Sequence, residues 1–114
     1  MLKIEAIVRE EIYEDVKQAL SDIEVKGLTV YQVMGCGVQK GLTEVVRGKK
    51  IELNMLPKIK FEIVVSSNEW AAKTIEVIKK AACTGNIGDG KIFVQELTEA
   101  VRIRTGETGI AAIN

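Results

Sequence analysis

Two amphipathic stripes, each set between apolar strand-like runs, constrain this chain more than any other feature. In the first, Ile12, Val16, Ala19, Leu20 and Ile23 recur at helical spacing within residues 11–23, so one face of a helix must be buried. In the second, Ala71, Thr74, Ile75, Ile78, Ala81 and Ala82 repeat the pattern up to about Cys83, with Trp70 and Val77 beside the stripe. Leu2, Ile4, Ala6 and Val8 alternate with Lys3, Glu5, Ile7 and Arg9 ahead of the first stripe, which is the period of a strand. Residues 28–34 follow it as a β-rich run. Residues 59–65 and 91–97 flank the second stripe in the same way.

The order is β-α-β, a long connection, then β-α-β. That is the split βαβ arrangement of an α+β, ferredoxin-like sandwich, with both helices on one sheet face. Val30, Val33, Ile63, Val65, Ile92 and Val94 load the strands with aliphatics, so the other face needs a cover too, and oligomerisation is the simplest one. Gly27 is the expected stop of the first helix, and Ser66 to Glu69 has the spacing of a capping box for the second. Pro57, the single proline, is placed just ahead of the third strand. Residues 98–101 fit one helical turn. Residues 102–104 read as extended, which puts the guanidinium groups of Arg102 and Arg104 on one face. Between residues 38 and 55 no period holds, so this stretch is either functional and mobile or a long hairpin with two strand-like arms.

Composition closes off several functions. The 114 residues fit one domain, and 46% hydrophobic residues argue against disorder. Sixteen basic residues balance sixteen acidic ones, a poor basis for nucleic-acid binding. Without histidine, histidine-based catalysis and the usual zinc sites fall away. Cys36 and Cys83 form no C-x-x-C pair and suit a reduced cytoplasm. Glu5 comes too early for a signal peptide, and no run approaches a membrane span.

The candidate chemistry lies at residues 84–91, Thr-Gly-Asn-Ile-Gly-Asp-Gly-Lys. Glycines let backbone N–H groups approach an anion, and a terminal lysine adds a point charge for phosphate. Gly85 to Lys91 fits G-x-x-x-x-G-K, but Ile92 stands where a P-loop needs Ser or Thr, and a strand follows rather than a helix. The residues alone leave two readings open: a phosphate loop of another kind, or a tight turn.

From end to end the chain resembles the PII signal-transduction family. Residues 84–94 are similar to its B-loop signature (about 84–91), and Arg102-Ile103-Arg104-Thr105-Gly106-Glu107 to its C-loop (about 102–109). Gly35, Gly37, Gln39, Lys40, Gly41, Thr43, Glu44, Arg47, Gly48 and Leu56-Pro57-Lys58 support the match. The resemblance implies a single domain over residues 1–114 with a T-loop at about 38–55. It implies a homotrimer with nucleotide clefts between subunits, a sensor of ATP, ADP and 2-oxoglutarate, and a cytoplasmic regulator rather than an enzyme. On this resemblance Gly85, Gly88, Asp89, Gly90 and Lys91 bracket the nucleotide, and Arg102 and Arg104 of the neighbouring subunit close on its phosphates. Thr29, Gly35, Cys36, Gly37 and Val38 line the cleft, and Val64 packs by the base. Gln39 gives its oxygen to Mg²⁺ between ATP and 2-oxoglutarate; Lys58, Lys40 and Gly41 complete the keto-acid site. Arg47 is the target-binding residue, which in relatives that shut ammonium channels plugs the pore.

Departures shape the expectation. Ile51 stands where uridylylated members carry tyrosine, so that modification is not expected; Lys49 and Val46 replace other modified or aromatic positions. Val38 replaces a basic residue that helps hold the terminal phosphate, and Cys36 replaces a larger one. The expected partners are an ammonium channel or another membrane transporter, which would recruit the protein to the inner face of the membrane. The alternatives are a soluble enzyme such as glutamine synthetase or nitrogenase, or an adenine-nucleotide sensor without a 2-oxoglutarate response. An enzyme using the loop lacks a base and a partnered nucleophile. An RNA-binding module of the same strand order would need aromatics that 58–65 does not carry.

Overall fold

The structure is a computed structural model, and it describes residues 1–25, 27–36, 43–46, 49–52 and 55–114, with 43–46 and 49–52 described by their backbone. Strand β1 is Leu2–Arg9, the span its alternation predicts. A 3-10 turn, Glu10–Ile12, leads into α1, Tyr13–Asp22. Then come β2 (Thr29–Cys36), β3 (Thr43–Val46), β4 (Lys49–Glu52), β5 (Met55–Val65), α2 (Asn68–Ala82), β6 (Gly90–Glu96) and the one-turn α3 (Ile110–Ile113). The main sheet is four-stranded and antiparallel in the order β2-β5-β1-β6, the ferredoxin-like order. β3 and β4 pair with each other, so two arms do form within the expected T-loop. The remainder of that stretch lies outside the described residues.

Register decides which face each residue takes. Ile4 pairs with Ile63, Ala6 with Phe61 and Val8 with Ile59, and all six are buried against the helices. Val16 and Leu20 of α1 and Ile78 of α2 complete that core, and Tyr13 stacks on Phe61 at 5.7 Å between centroids. Each fully buried large side chain here contributes about 1.5–3 kcal/mol. The same register places Val30, Ile63, Val65, Ile92 and Val94 on the helix-covered side, leaving only Val33 of the six expected aliphatics on the open face. That open face is instead mixed: Lys60 pairs with Glu5 at 3.4 Å and lies over the Tyr31 ring, while Ile7, Val33, Val64 and Phe93 are apolar residues on it. Those aliphatics therefore do not call for a second cover.

Several local expectations are corrected. Ser67, not Ser66, caps α2, accepting from the Trp70 amide at 3.2 Å, so no glutamate closes a reciprocal box. α1 stops at a Schellman turn rather than at Gly27. Val25 N donates to Leu20 O at 3.0 Å, and Glu24 takes the left-handed position at φ 65° that glycine usually fills. Pro57 lies inside β5, opposite Met34, beyond the last β1 pair at Arg9 and Lys58; there β5 has no second neighbour to demand an N–H. Residues 98–101 make no helical turn, and residues 103–105 are a turn rather than a strand.

Candidate functional site

The glycine loop joins the end of α2 to β6 and is assembled around one carboxylate. Asp89 accepts from the Thr84 amide at 2.8 Å, the Gly85 amide at 3.0 Å, the Thr84 hydroxyl, and Arg9 Nε at 3.1 Å. The Thr84 hydroxyl, then the Thr84 amide, Arg9 and the Gly85 amide, outweigh desolvation and hold the Asp89 carboxyl well below the usual carboxylate range. Gly85, Gly88 and Gly90 all have positive φ, at 85°, 102° and 107°. At Gly90 the requirement is steric as well, since a Cβ would lie 1.7 Å from the Ile7 carbonyl oxygen. Glycine is thus the residue that lets the loop enter β6 against β1.

Two basic side chains pull the loop's acceptors inward. Arg9 Nη2 donates to Ile87 O at 2.7 Å, and Lys58 Nζ donates to Gly88 O at 2.6 Å. Lys58 is buried, and its stem passes Gly35, where a Cβ would come within 3.0 Å of Lys58 Cγ. Gly35 therefore makes room for the lysine that ties the loop to β5. The amides of Ile87 and Gly88 find no acceptor among the described residues, and exposed Lys91 has no ion-pair partner among them. These two amides, in a loop whose glycines at 85, 88 and 90 have positive φ, and Lys91 beside them form a surface that suits an anion.

A second group of expected residues lies at the other end of the sheet. Thr29 opens β2 opposite Glu62, and Val64 is near the end of β5 opposite Lys3. Six residues of strand separate Lys58 from Val64, about 20 Å at the rise of a strand. A groove of about 360 Å³ passes Val64, Trp70 and Ile113 there. The arginine turn is local: Arg102 N donates to Glu107 O at 2.8 Å, and Gly106 N to Arg102 O at 2.8 Å. Arg102 Nη1 also meets Glu107 Oε1 at 3.3 Å, and its Nη2 donates to the Asn114 backbone oxygen. Arg104 is exposed.

The structure thus brings Gly35, Lys58, Gly85, Gly88, Asp89, Gly90 and Lys91 together at one end, and Thr29, Val64 and Arg102 near the other. Cys36 closes β2 opposite Met55. Gly37, Val38, Gln39, Lys40, Gly41 and Arg47 lie outside the described residues. Sequence reasoning missed Arg9 and Thr84. The Arg9–Asp89 contact spans 80 positions, and no local signal announces it. Thr84 was legible in principle, as a hydroxyl residue opening a glycine turn.

Fold and site define a class: a small α+β sandwich with a glycine loop at one end of its sheet, braced by Arg9 and Lys58. The family model described as "Nitrogen regulatory protein P-II" matches residues 1–107. The "Nitrogen regulatory protein P-II" of Rhizobium meliloti (strain 1021) is 50% identical over 113 residues, covering 99% of this chain and 100% of that protein. That of Azospirillum brasilense is 49% identical, and the "Nitrogen regulatory protein GlnK" of Escherichia coli (strain K12) 45%, each over the same shares of both chains. The chain belongs to the nitrogen regulatory protein P-II family, and its function is of the regulatory, nitrogen-metabolism class. Among the described residues no helix is long and apolar enough to cross a membrane.

Proposed function

We propose that this protein is a non-enzymatic, homotrimeric sensor of ATP and ADP that reports through its T-loop segment to a membrane transporter, an ammonium channel in the favoured case. The observation that carries the reading is the division of the site. The glycine loop with Lys91 stands at one end of the sheet; Arg102, bonded to Asn114 beside the groove at Val64, stands near the other, with Arg104 two residues on. A second copy placed end to end would supply the missing half, so a cleft between subunits completes what one chain leaves apart. The loop's amides and Lys91 would take the phosphates, and the arginine forks of the neighbour would close over them. Gln39 would hold Mg²⁺ between ATP and 2-oxoglutarate, with Lys40, Gly41 and Lys58 at the keto acid. The protein would work in the cytoplasm and reach the inner face of the membrane through its transporter; a soluble nitrogen-assimilation enzyme is the other target class.

One observation favours a second reading, an adenine-nucleotide sensor without a 2-oxoglutarate response. Lys58, which would face the distal carboxylate, is buried and committed to Gly88 O at 2.6 Å. A keto acid must share that ammonium with the carbonyl and reach it where it is buried, and Val38 supplies no basic help. The test is calorimetric titration of ATP and ADP with Mg²⁺, with and without 2-oxoglutarate, alongside light scattering for the mass in solution. The expected result is a trimer that binds both nucleotides, with 2-oxoglutarate binding only in the presence of MgATP. Nucleotide binding without any keto-acid response selects the second reading. A monomer, or a chain that binds neither nucleotide, overturns both.

A further inference from the structure

The glycine loop carries a negative group of its own, Asp89, among residues that would face phosphate. The donors around it are unequal. Three of them, the amides of Thr84 and Gly85 and the Thr84 hydroxyl, are neutral; the fourth, Arg9 Nε at 3.1 Å, brings a full positive charge. Both side chains of the ion pair are only 22% exposed, so water and salt screen it weakly. Among the described residues a second acid, Glu11, stands 4.0 Å from this guanidinium with its side chain 71% exposed. The same fork reaches a second acceptor, with Nη2 on Ile87 O at 2.7 Å. Lys58 donates to Gly88 O at 2.6 Å and forms no ion pair with Asp89 among the described residues.

We infer that Arg9 is a positioning residue for the anion site, masking the charge of Asp89 and turning the loop's acceptors inward so that its amides and Lys91 meet a polyphosphate unopposed. The inference rests on the nucleotide reading above. A planar fork is the right shape for this, since one guanidinium engages a carboxylate and a carbonyl at once. A lysine brings the charge but not the fork. The mask matters more as the ligand's charge rises, because an uncovered carboxylate repels a triphosphate more than a monophosphate.

The test is titration of ATP, ADP and AMP into the full chain and three variants: Arg9→Gln, Arg9→Lys, and Arg9→Gln combined with Asp89→Asn. Arg9→Gln should weaken ATP binding about tenfold, equivalent to about 1.4 kcal/mol. ADP should lose less and AMP least, and the gap to the unaltered protein should narrow at high salt. Arg9→Lys should recover part of the loss. The double variant should bind ATP more tightly than Arg9→Gln alone, because the charge that needed masking is gone. A purely bracing role predicts the reverse: removing a second brace leaves the double variant no better, and all three nucleotides lose alike. That pattern, or an Arg9→Gln protein that binds as the unaltered one does, overturns the inference. If the unaltered chain binds no nucleotide, the proposed function falls first and takes this inference with it. Should Arg9→Gln fail to fold by circular dichroism, Arg9→Lys carries the comparison across the three nucleotides: a graded loss supports the mask, and an equal or absent loss rejects it.

Discussion

The glycine loop and the arginine turn are both short, glycine-bearing connections rich in hydrogen bonds, yet they are held in opposite ways. The glycine loop is braced from afar. Arg9 reaches it across 80 positions and Lys58 across 30. The arginine turn is braced locally, through Arg102, Thr105 and Glu107 within five positions of one another and the Val101–Thr108 bridge at its base, with Asn114 contributing from further along. A loop tied to two strands inherits the stability of the sheet. A loop tied to itself can change shape without disturbing the core. For a protein proposed to bind a ligand between subunits, the first kind suits a preformed cradle and the second a closing arm.

A single substitution type separates the two regions most sharply. Gly90 and Gly106 share positive φ, at 107° and 72°. Gly90→Ala would drive a Cβ to 1.7 Å from the Ile7 carbonyl oxygen, whereas nothing lies within 4 Å of the same atom at Gly106. Gly90→Ala should therefore cost about 3 kcal/mol or more, combining strain with overpacking, as a large drop in the denaturant midpoint. Lys58→Met comes next. It keeps an apolar stem but leaves Gly88 O unpaired, and about 2 kcal/mol should be lost. Gly106→Ala should cost about 1 kcal/mol, from backbone strain alone. Were the two alanine variants equally stable, the distinction between a braced and a self-contained loop would be wrong.

The smallest effect is a pH dependence confined to the glycine loop. The Asp89 carboxyl is held below its ordinary range by the Thr84 hydroxyl first, and by the surrounding amides and Arg9. A depressed carboxylate contributes stability above its unfolded value, about 3.9, and loses it as pH falls through the folded value. Asp89→Asn should thus separate from the unaltered protein at pH 7 and converge with it towards pH 2, followed by thermal unfolding. A gap that stays constant over that range would show that the carboxylate charge does not hold the loop.

Much of the architecture was legible because periodicity is local. The alternation of Leu2, Ile4, Ala6 and Val8 marks β1 to the residue, and the helical stripes locate α1 and α2 within a few positions. The glycine loop was legible as a loop, and its resemblance to the PII signature placed the family. The failures share a cause. Ser66 and Ser67 both offer a hydroxyl, and only the backbone at Ser67, φ −149° and ψ 166°, makes it the cap. Gly27 looked like the stop of α1, but the core contact of Val25 set the turn at Glu24. Arg102 and Arg104 alternate in the sequence as a strand would, yet Gly106 folds the segment back.

What the sequence determined by itself was therefore the menu of elements, their order and the family, since these follow from residue spacing and from contacts between near neighbours. Tertiary structure alone decided the register that hides Val30 and Val94 on the helix side. It also decided that Lys58 and Arg9 would serve as tethers and that the expected phosphate ligands would stand at opposite ends of one chain. The physical reason is that a side chain's partner across a sheet depends on register, and register is a property of the packed whole rather than of any stretch along it.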